Sequence, residues 1–406
     1  MRNRPLALLF AAATVAGAAC TGEAPPEAQP DTDAPDASAV DTGIDVAVEP
    51  PDPRDVTVDA APARMFRLTR AQYRAAVSDL FGDDIVIAVN LEPDVASNGY
   101  FAVGAGAATV SRRGAEAYEQ AALDIARQAF APERRSRVVS CTPTSAAAPD
   151  CARATLEALG RRAWRRPLST ESLDRLVQLA TEVGADAGDL HVGLEYATAA
   201  LLQAPPFLFR IEVGVPDEAR PGVRRLDGFE LASRLSFLLW NTTPDDALLA
   251  AAAAGELDTD AGIEAQAERL LASPRARGGL RNFFEEYLKL SELEALRKDP
   301  DVFAHASPDL GLAAREETLR TIEHFVFELD ADYRELFTTR TTFLDRSLAA
   351  LYDVPAPTRE GFARTELPAD GPRAGLLGHA SFLALHARPT SSSATRRGVF
   401  VRCSAA

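Results

Sequence analysis

"ARATLEALGRRAWRRPLSTESLDRLVQLATEVG" (residues 152–184) reads as two helices and the joint between them. Apolar residues in the first half recur at helical spacing, which predicts a helix running up to Trp164. Pro167 cannot continue it, because proline lacks the N–H that an interior helical turn requires. Ser169 then offers a side-chain oxygen to cap the next helix, "TESLDRLVQLATEVG". Four arginines and a tryptophan crowd the joint, "RRAWRRPLS" (161–169), which raises the question of a phosphate clamp. Their position favours architecture, since cations suit the negative end of a helix dipole. On this reading Trp164 packs into the junction, Pro167 turns the chain, and Arg165 or Arg166 pairs with acids across it.

The same grammar extends in both directions. Thr69 with Gln72 forms a capping box ahead of "RAQYRAAVSDLF", and Gly82 stops that helix. Ser111 caps "RRGAEAYEQAALDIARQAF", and "HVGLEYATAALLQA" runs into "PPFLFRIE", where Pro205 and Pro206 predict an extended piece. Asp227 with Glu230 opens "GFELASRLSFLLW", expected to be central because Arg234 is its only charge after the first turn. Thr243-Pro244, Ser273-Pro274 and Ser307-Pro308 each precede a helical stretch, with the proline expected in the first turn. Towards the end, "FARTEL" (362–367) reads as a strand. The expected class is all-α, with two or more packed helical units and minor β structure in the last third.

The ends carry an address. Residues 1–20, "MRNRPLALLFAAATVAGAAC", have a basic start, an apolar run from Leu6 to Ala16, and small residues before Cys20. This is the form of an export signal, too short to span a bilayer as a helix. Cys20 after "AGAA" predicts cleavage before it and lipidation of its thiol, anchoring the protein to the outer membrane or cell surface. Gly17 departs from that pattern, and the alternative is ordinary cleavage near Ala18 with a periplasmic or secreted product. Residues 21–60 hold seven prolines and eleven acids, and the stretch 21–62 is expected to form a disordered tether. Of the net charge of −16, that tether carries −10, so the body is only mildly acidic and nucleic acid is not an expected partner. Cys141 and Cys151 bracket a short polar loop; in an exported chain this predicts a disulfide, with a metal pair the alternative.

Signatures of known chemistry are missing. The chain has no G-x-S-x-G elbow, H-E-x-x-H pair, helical E-x-x-H pair, C-x-x-C-H haem site or glycine-rich phosphate loop. His191 with Glu195 and His324 with Glu328 stand four apart, which predicts exposed helical pairs. His379 and His386 stand seven apart and should share a face, with no acid or cysteine near them in sequence. The acids of "TPDD" (243–246) suit a first helical turn. No catalytic, cofactor or metal-binding residue is assigned from the sequence.

Several stretches together resemble the secreted multidomain proteins of planctomycetes and myxobacteria, built from planctomycete secreted domains (domains of unknown function 1587, 1595, 1592 and 1588). "FRLTRAQYRAAVSDLFG" (66–82) resembles the opening of the first domain. "RRAWRRPLSTESLDRLVQL" (161–179) and "ALLQAPPFLFRIE" (200–212) are similar to the second, where the family usually has Ser-Pro at Ala204-Pro205. "LDGFELASRLSFLLWNTTPDDALLAAAAAGEL" (226–257), "ERLLASPRARGGLRNFFEEYLKL" (268–290) and "TTFLDRSLAALYDVP" (341–355) resemble the third. "RAGLLGHASFLALHARPTSSSATRRGVFVR" (373–402) resembles the first half of the fourth.

The resemblance places domains at 63–140, 141–213 and 222–355, with an incomplete one at 360–406. Similar chains continue past the segment where this one ends in "RCSAA", so a truncation or frame break near Cys403 is expected. The family implies an exported, often anchored protein of unknown activity, and brings no catalytic residues. Some members carry a cytochrome-c-like domain, which makes a c-type cytochrome or another exported protein an expected partner. The resulting reading is a surface scaffold or binding module; an enzyme acting on an extracellular polymer is the alternative.

Overall fold

Helix follows helix from Arg70 onward, and several of them open on a side-chain cap. The computed structural model describes residues 62–218 and 220–404; Cys20 and, but for Pro62, the acidic stretch read as a tether lie outside them. Residues 62–392 form one unit. Strand β1 (Arg64–Arg67) leads into α1 (Arg70–Phe81), whose capping box of Thr69 and Gln72 is fully formed and which ends at Gly82. The short α2 (Phe101–Gly104) precedes α3 (Arg112–Ala129), capped by Ser111. The Cys141–Cys151 disulfide closes the loop that enters α4 (Pro149–Ala163).

Next come α5 (Thr170–Ala187), capped by Ser169, and α6 (Leu190–Gln203), capped by Asp189. These two pack closely because Gly193 has no side chain: a Cβ there would lie 1.8 Å from the Ala180 carbonyl oxygen. Pro205 and Pro206 start a single turn, α7 (Pro205–Leu208), where the sequence predicts an extended piece. Prolines at the first two helical positions are tolerated because those N–H groups would have no intrahelical acceptor anyway. Strand β2 (Phe209–Glu212) then pairs antiparallel with β1, Met65 opposite Ile211. Its partner is far away in sequence, so no hairpin signal announces it.

A two-residue ribbon, β3 (Val215–Pro216) with β4 (Arg224–Arg225), leads to α8 (Gly228–Leu239), opened by the Asp227–Glu230 capping box. The following helices are α9 (Asp246–Ala253), α10 (Asp260–Ala272), α11 (Ala276–Tyr287) and α12 (Leu310–Glu323). Pro244, Pro274 and Pro308 stand before the first turns of α9, α11 and α12 rather than in them. At α9 the Asp245 carboxylate takes the capping role, accepting the Leu248 amide at 2.9 Å. Beyond α12 come β5 (Thr341–Leu344), α13 (Arg346–Tyr352), β6 (Ala363–Glu366) and α14 (Ala380–Leu385). Strand β6, expected from "FARTEL", pairs antiparallel with β5. Helix α15 (Ala394–Ser404) lies in the other unit, and at its start the Ser393 hydroxyl accepts the Arg396 amide at 3.3 Å.

The protein is therefore all-α, with only two-stranded sheets among the described residues. Its largest core runs through α1, α3, α4, α5 and α6 and takes in Phe237 from α8. A second core gathers Ala232, Trp240, Leu248, Leu257 and Leu270, and a third gathers Ala314, Leu344, Leu348 and Leu367. No described helix is long and apolar enough to cross a membrane.

Candidate functional site

The joint after α4 is held by donors aimed at backbone carbonyls. The Leu201 carbonyl in α6 would ordinarily accept an N–H from residue 205, but that residue is proline. The Trp164 indole N–H takes its place, donating to Leu201 at 3.1 Å. The next residue, Arg165, adopts a left-handed backbone (φ 60°), a strained conformation for a non-glycine residue. Its guanidinium is buried and donates to the carbonyls of Ala163 (3.0 Å), Phe207 (3.4 Å), Pro206 (2.5 Å) and Phe209 (2.7 Å). It lies over the Phe237 ring with its carbon 5.6 Å from the centroid. Burial, then the nearby Arg210 and Arg166 guanidiniums, pushes the Arg165 pKa down to about 9, which leaves it charged at neutral pH.

The expectation that Arg165 or Arg166 meets acids thus divides between the two. Arg165 binds backbone oxygens, whereas Arg166 pairs with Asp227, the cap of α8, at 3.2 Å. Pro167 then leads to the Ser169 cap of α5.

These residues wall a half-open cleft of about 470 Å³. Trp164, Pro206, Phe209 and Ile211 give it apolar surface; Arg166, Ser169, Ser172 and Ser233 give it polar groups. Glu230 also borders it, but its carboxylate accepts the amides of Val213 (2.9 Å), Gly214 (3.0 Å) and Asp227 (2.9 Å). Nearby, Glu212 pairs with Arg210 at 2.9 Å and lies 3.6 Å from Arg234, which fixes β2 against α8.

The histidines sort differently from the sequence expectation. His191 bonds Asp189 at 2.8 Å, while Glu195 lies 3.9 Å from Arg127, so that i, i+4 pair does not form. His324 does meet Glu328, at 2.7 Å, but it is buried rather than exposed. His379 and His386 do not line one helical face, because α14 between them is only six residues long.

His379 instead joins a buried polar group that the sequence reading missed. Its Nδ1 lies 3.1 Å from the Thr318 hydroxyl, which is 2.6 Å from the Ser381 hydroxyl. Next along α12, Glu317 is fully buried and accepts from Thr342 (2.9 Å) and Tyr352 (2.6 Å). The Tyr352 oxygen accepts the Ala380 amide at 2.8 Å. Glu317 Oε2 has no partner among the described residues. A signal was present: Glu317 falls on the stripe of Leu310, Ala313, Ala314 and Thr321, at helical spacing among core positions. Among the described residues, no three or more His, Cys, Asp or Glu side chains are grouped to hold a metal ion.

Three matches to family descriptions follow one another along the chain. Residues 67–131 match protein of unknown function DUF1587 (PSD3), residues 151–212 match DUF1595 (PSD5), and residues 226–354 match DUF1592 (PSD4). The resemblance of residues 373–402 to domain 1588 is not among these matches. No curated protein and no solved structure matches the chain.

Two outcomes are expected. Arg165→Lys keeps a charge but cannot reach four carbonyls at once, so urea unfolding should show a loss of about 3 kcal/mol. Arg166→Gln, losing one half-exposed pair, should cost less than about 1 kcal/mol. Equal losses would contradict the division of roles. His379 is the second case. Burial lowers its pKa from 6.5, against the pull of Glu317 and with a push from Arg373. A folded-state pKa below the unfolded one means stability is full above the unfolded value and falls as pH drops through the folded one. Urea unfolding between about pH 7 and pH 5 should therefore show a slope that is shallower in His379→Gln. An unchanged slope would contradict it.

Proposed function

We propose that this chain, which belongs to the multidomain proteins assembled from these domains of unknown function, is an exported, lipid-anchored helical scaffold that works as a binding module. The reading is carried by the state of the cleft. Arg165 and Glu230, the most buried charged groups around it, are already committed to the backbone, through four carbonyls and three amides. A wall built this way holds a shape for a ligand or a partner protein, and leaves neither group free to exchange protons. The anchor is supported by the basic, apolar, small-residue order of residues 1–20 ending in Cys20, and by the acidic, proline-rich stretch that follows. The Cys141–Cys151 disulfide suits an oxidising compartment.

The test is metabolic labelling of the full chain with an alkyne fatty acid in a Gram-negative host. The wild-type chain should take up label and sediment with membranes. The Cys20→Ser chain should do neither. A wild-type chain that stays unlabelled, or a variant labelled equally, would overturn the anchored reading.

A further inference from the structure

The cleft contains polar groups that the fold does not use. Arg166 meets Asp227 through Nη2 alone, at 3.2 and 3.4 Å, and its Nε and Nη1 make no bond to the described residues. Ser233 is only 6% exposed and borders the cleft, and its hydroxyl has no partner among the described residues. Ser169 and Ser172, bonded to each other at the cap, bring to one side the N-terminus of the 18-residue helix α5, where the helix dipole favours negative charge.

The charges around the cleft balance, Arg165 and Arg166 against Glu230 and Asp227, and they differ in which still has an open hydrogen-bonding edge. Arg165 is committed to backbone carbonyls, Glu230 to backbone amides and Asp227 to the α8 cap and Arg166, which leaves the Arg166 guanidinium as the charged group with an open edge. Trp164, Pro206 and Ile211 add an apolar wall. The cleft therefore combines the open guanidinium edge of Arg166 with apolar surface.

We propose that this cleft binds a small organic carboxylate, with its charged group between the open edge of Arg166 and the start of α5 and its body against Trp164 and Pro206. The planar guanidinium edge matches the two oxygens of a carboxylate. Ser233 supplies a further hydrogen bond in a desolvated position. The volume suits a compact molecule rather than a polymer chain. This proposal rests on the binding-module reading and specifies the ligand.

The experiment titrates the purified full chain with phenylacetate and with D-galacturonate, an aromatic acid and a sugar acid, by calorimetry and tryptophan fluorescence. Phenylacetamide and galactose serve as their neutral counterparts. At least one acid should bind with Kd of about 1 mM or tighter, and about tenfold more tightly than its neutral counterpart. Which acid binds tells whether the apolar wall receives a ring or a sugar. Arg166→Gln should weaken binding by about tenfold. Ser172→Glu should do the same by like-charge repulsion, and an acid in a first helical turn does not disfavour the helix. Should Arg166→Gln fail to fold, Ser172→Glu decides.

Binding of neither acid up to about 10 mM overturns the proposal, as do variants that bind like the wild type. A neutral compound that binds as tightly as its acid overturns the carboxylate assignment but leaves the binding module standing. Fatty-acid labelling at Cys20 reports on the anchor independently of all these results.

Discussion

A buried carbonyl must find a donor, and in this protein prolines repeatedly take the usual donor away. Leu201 loses the amide of residue 205 and Leu270 that of residue 274, since both positions are proline. The two tryptophans of the chain donate to these carbonyls: Trp164 to Leu201 at 3.1 Å, and Trp240 at 2.8 Å to Leu270, which also accepts the Ser273 amide at 3.2 Å. Arginine does the same work elsewhere. Arg67 donates to Pro93 and Thr109, Arg340 to Pro368, Gly371 and Arg373, and Arg165 to four carbonyls at the joint. Of the 43 basic residues only Lys289 and Lys298 are lysines. That bias fits the task, because a guanidinium offers five donors in a fixed fork and an ammonium does not.

Donors and acceptors shared between segments also tie the first and third matched segments together. Asp79 in α1 accepts from Thr242 (2.5 Å) and Thr243 (3.2 Å) and pairs with Arg275, whose guanidinium stacks 4.3 Å from the Trp240 ring centroid. Glu286 in α11 accepts the amides of Phe101 (2.9 Å) and Ala102 (3.4 Å), at the start of α2. Burial raises the Glu286 pKa, against those two amides and Asn282. The cleft beside Trp164 exists because α5, α7, α8 and the joint after α4 are held together at one place. Its shape therefore depends on contacts between segments that match different families.

Much of the helical order was legible. Caps at Thr69, Ser111, Ser169 and Asp227 are local chemistry and can be read from a few residues. The Cys141–Cys151 disulfide was legible for the same reason, since only a short loop separates the two cysteines. What escaped the sequence is long-range. Strand β1 pairs with β2 across the whole first part of the chain. Glu317 meets Thr342 and Tyr352 from later elements, and Tyr352 in turn meets the Ala380 amide beside His379. Arg165 and Arg166 look alike in "RRAWRRPLS", yet one is buried among carbonyls and the other faces the cleft. Only the left-handed turn at Arg165 separates them, and no composition or spacing announces that turn.

The tryptophan at the joint serves a carbonyl stripped by proline, and a double-mutant cycle on Trp164→Phe and Pro205→Ala tests that directly. Alanine at position 205 supplies the N–H that proline lacks, and this N–H meets the Leu201 carbonyl when α6 continues through Ala204, which is extended (ψ 142°) in the wild-type chain. Urea unfolding should show Trp164→Phe to be more damaging with Pro205 present than in the Pro205→Ala background, by about 1 kcal/mol of coupling. Equal losses in the two backgrounds would mean that the indole N–H and the proline are unrelated, and would contradict this origin of the joint.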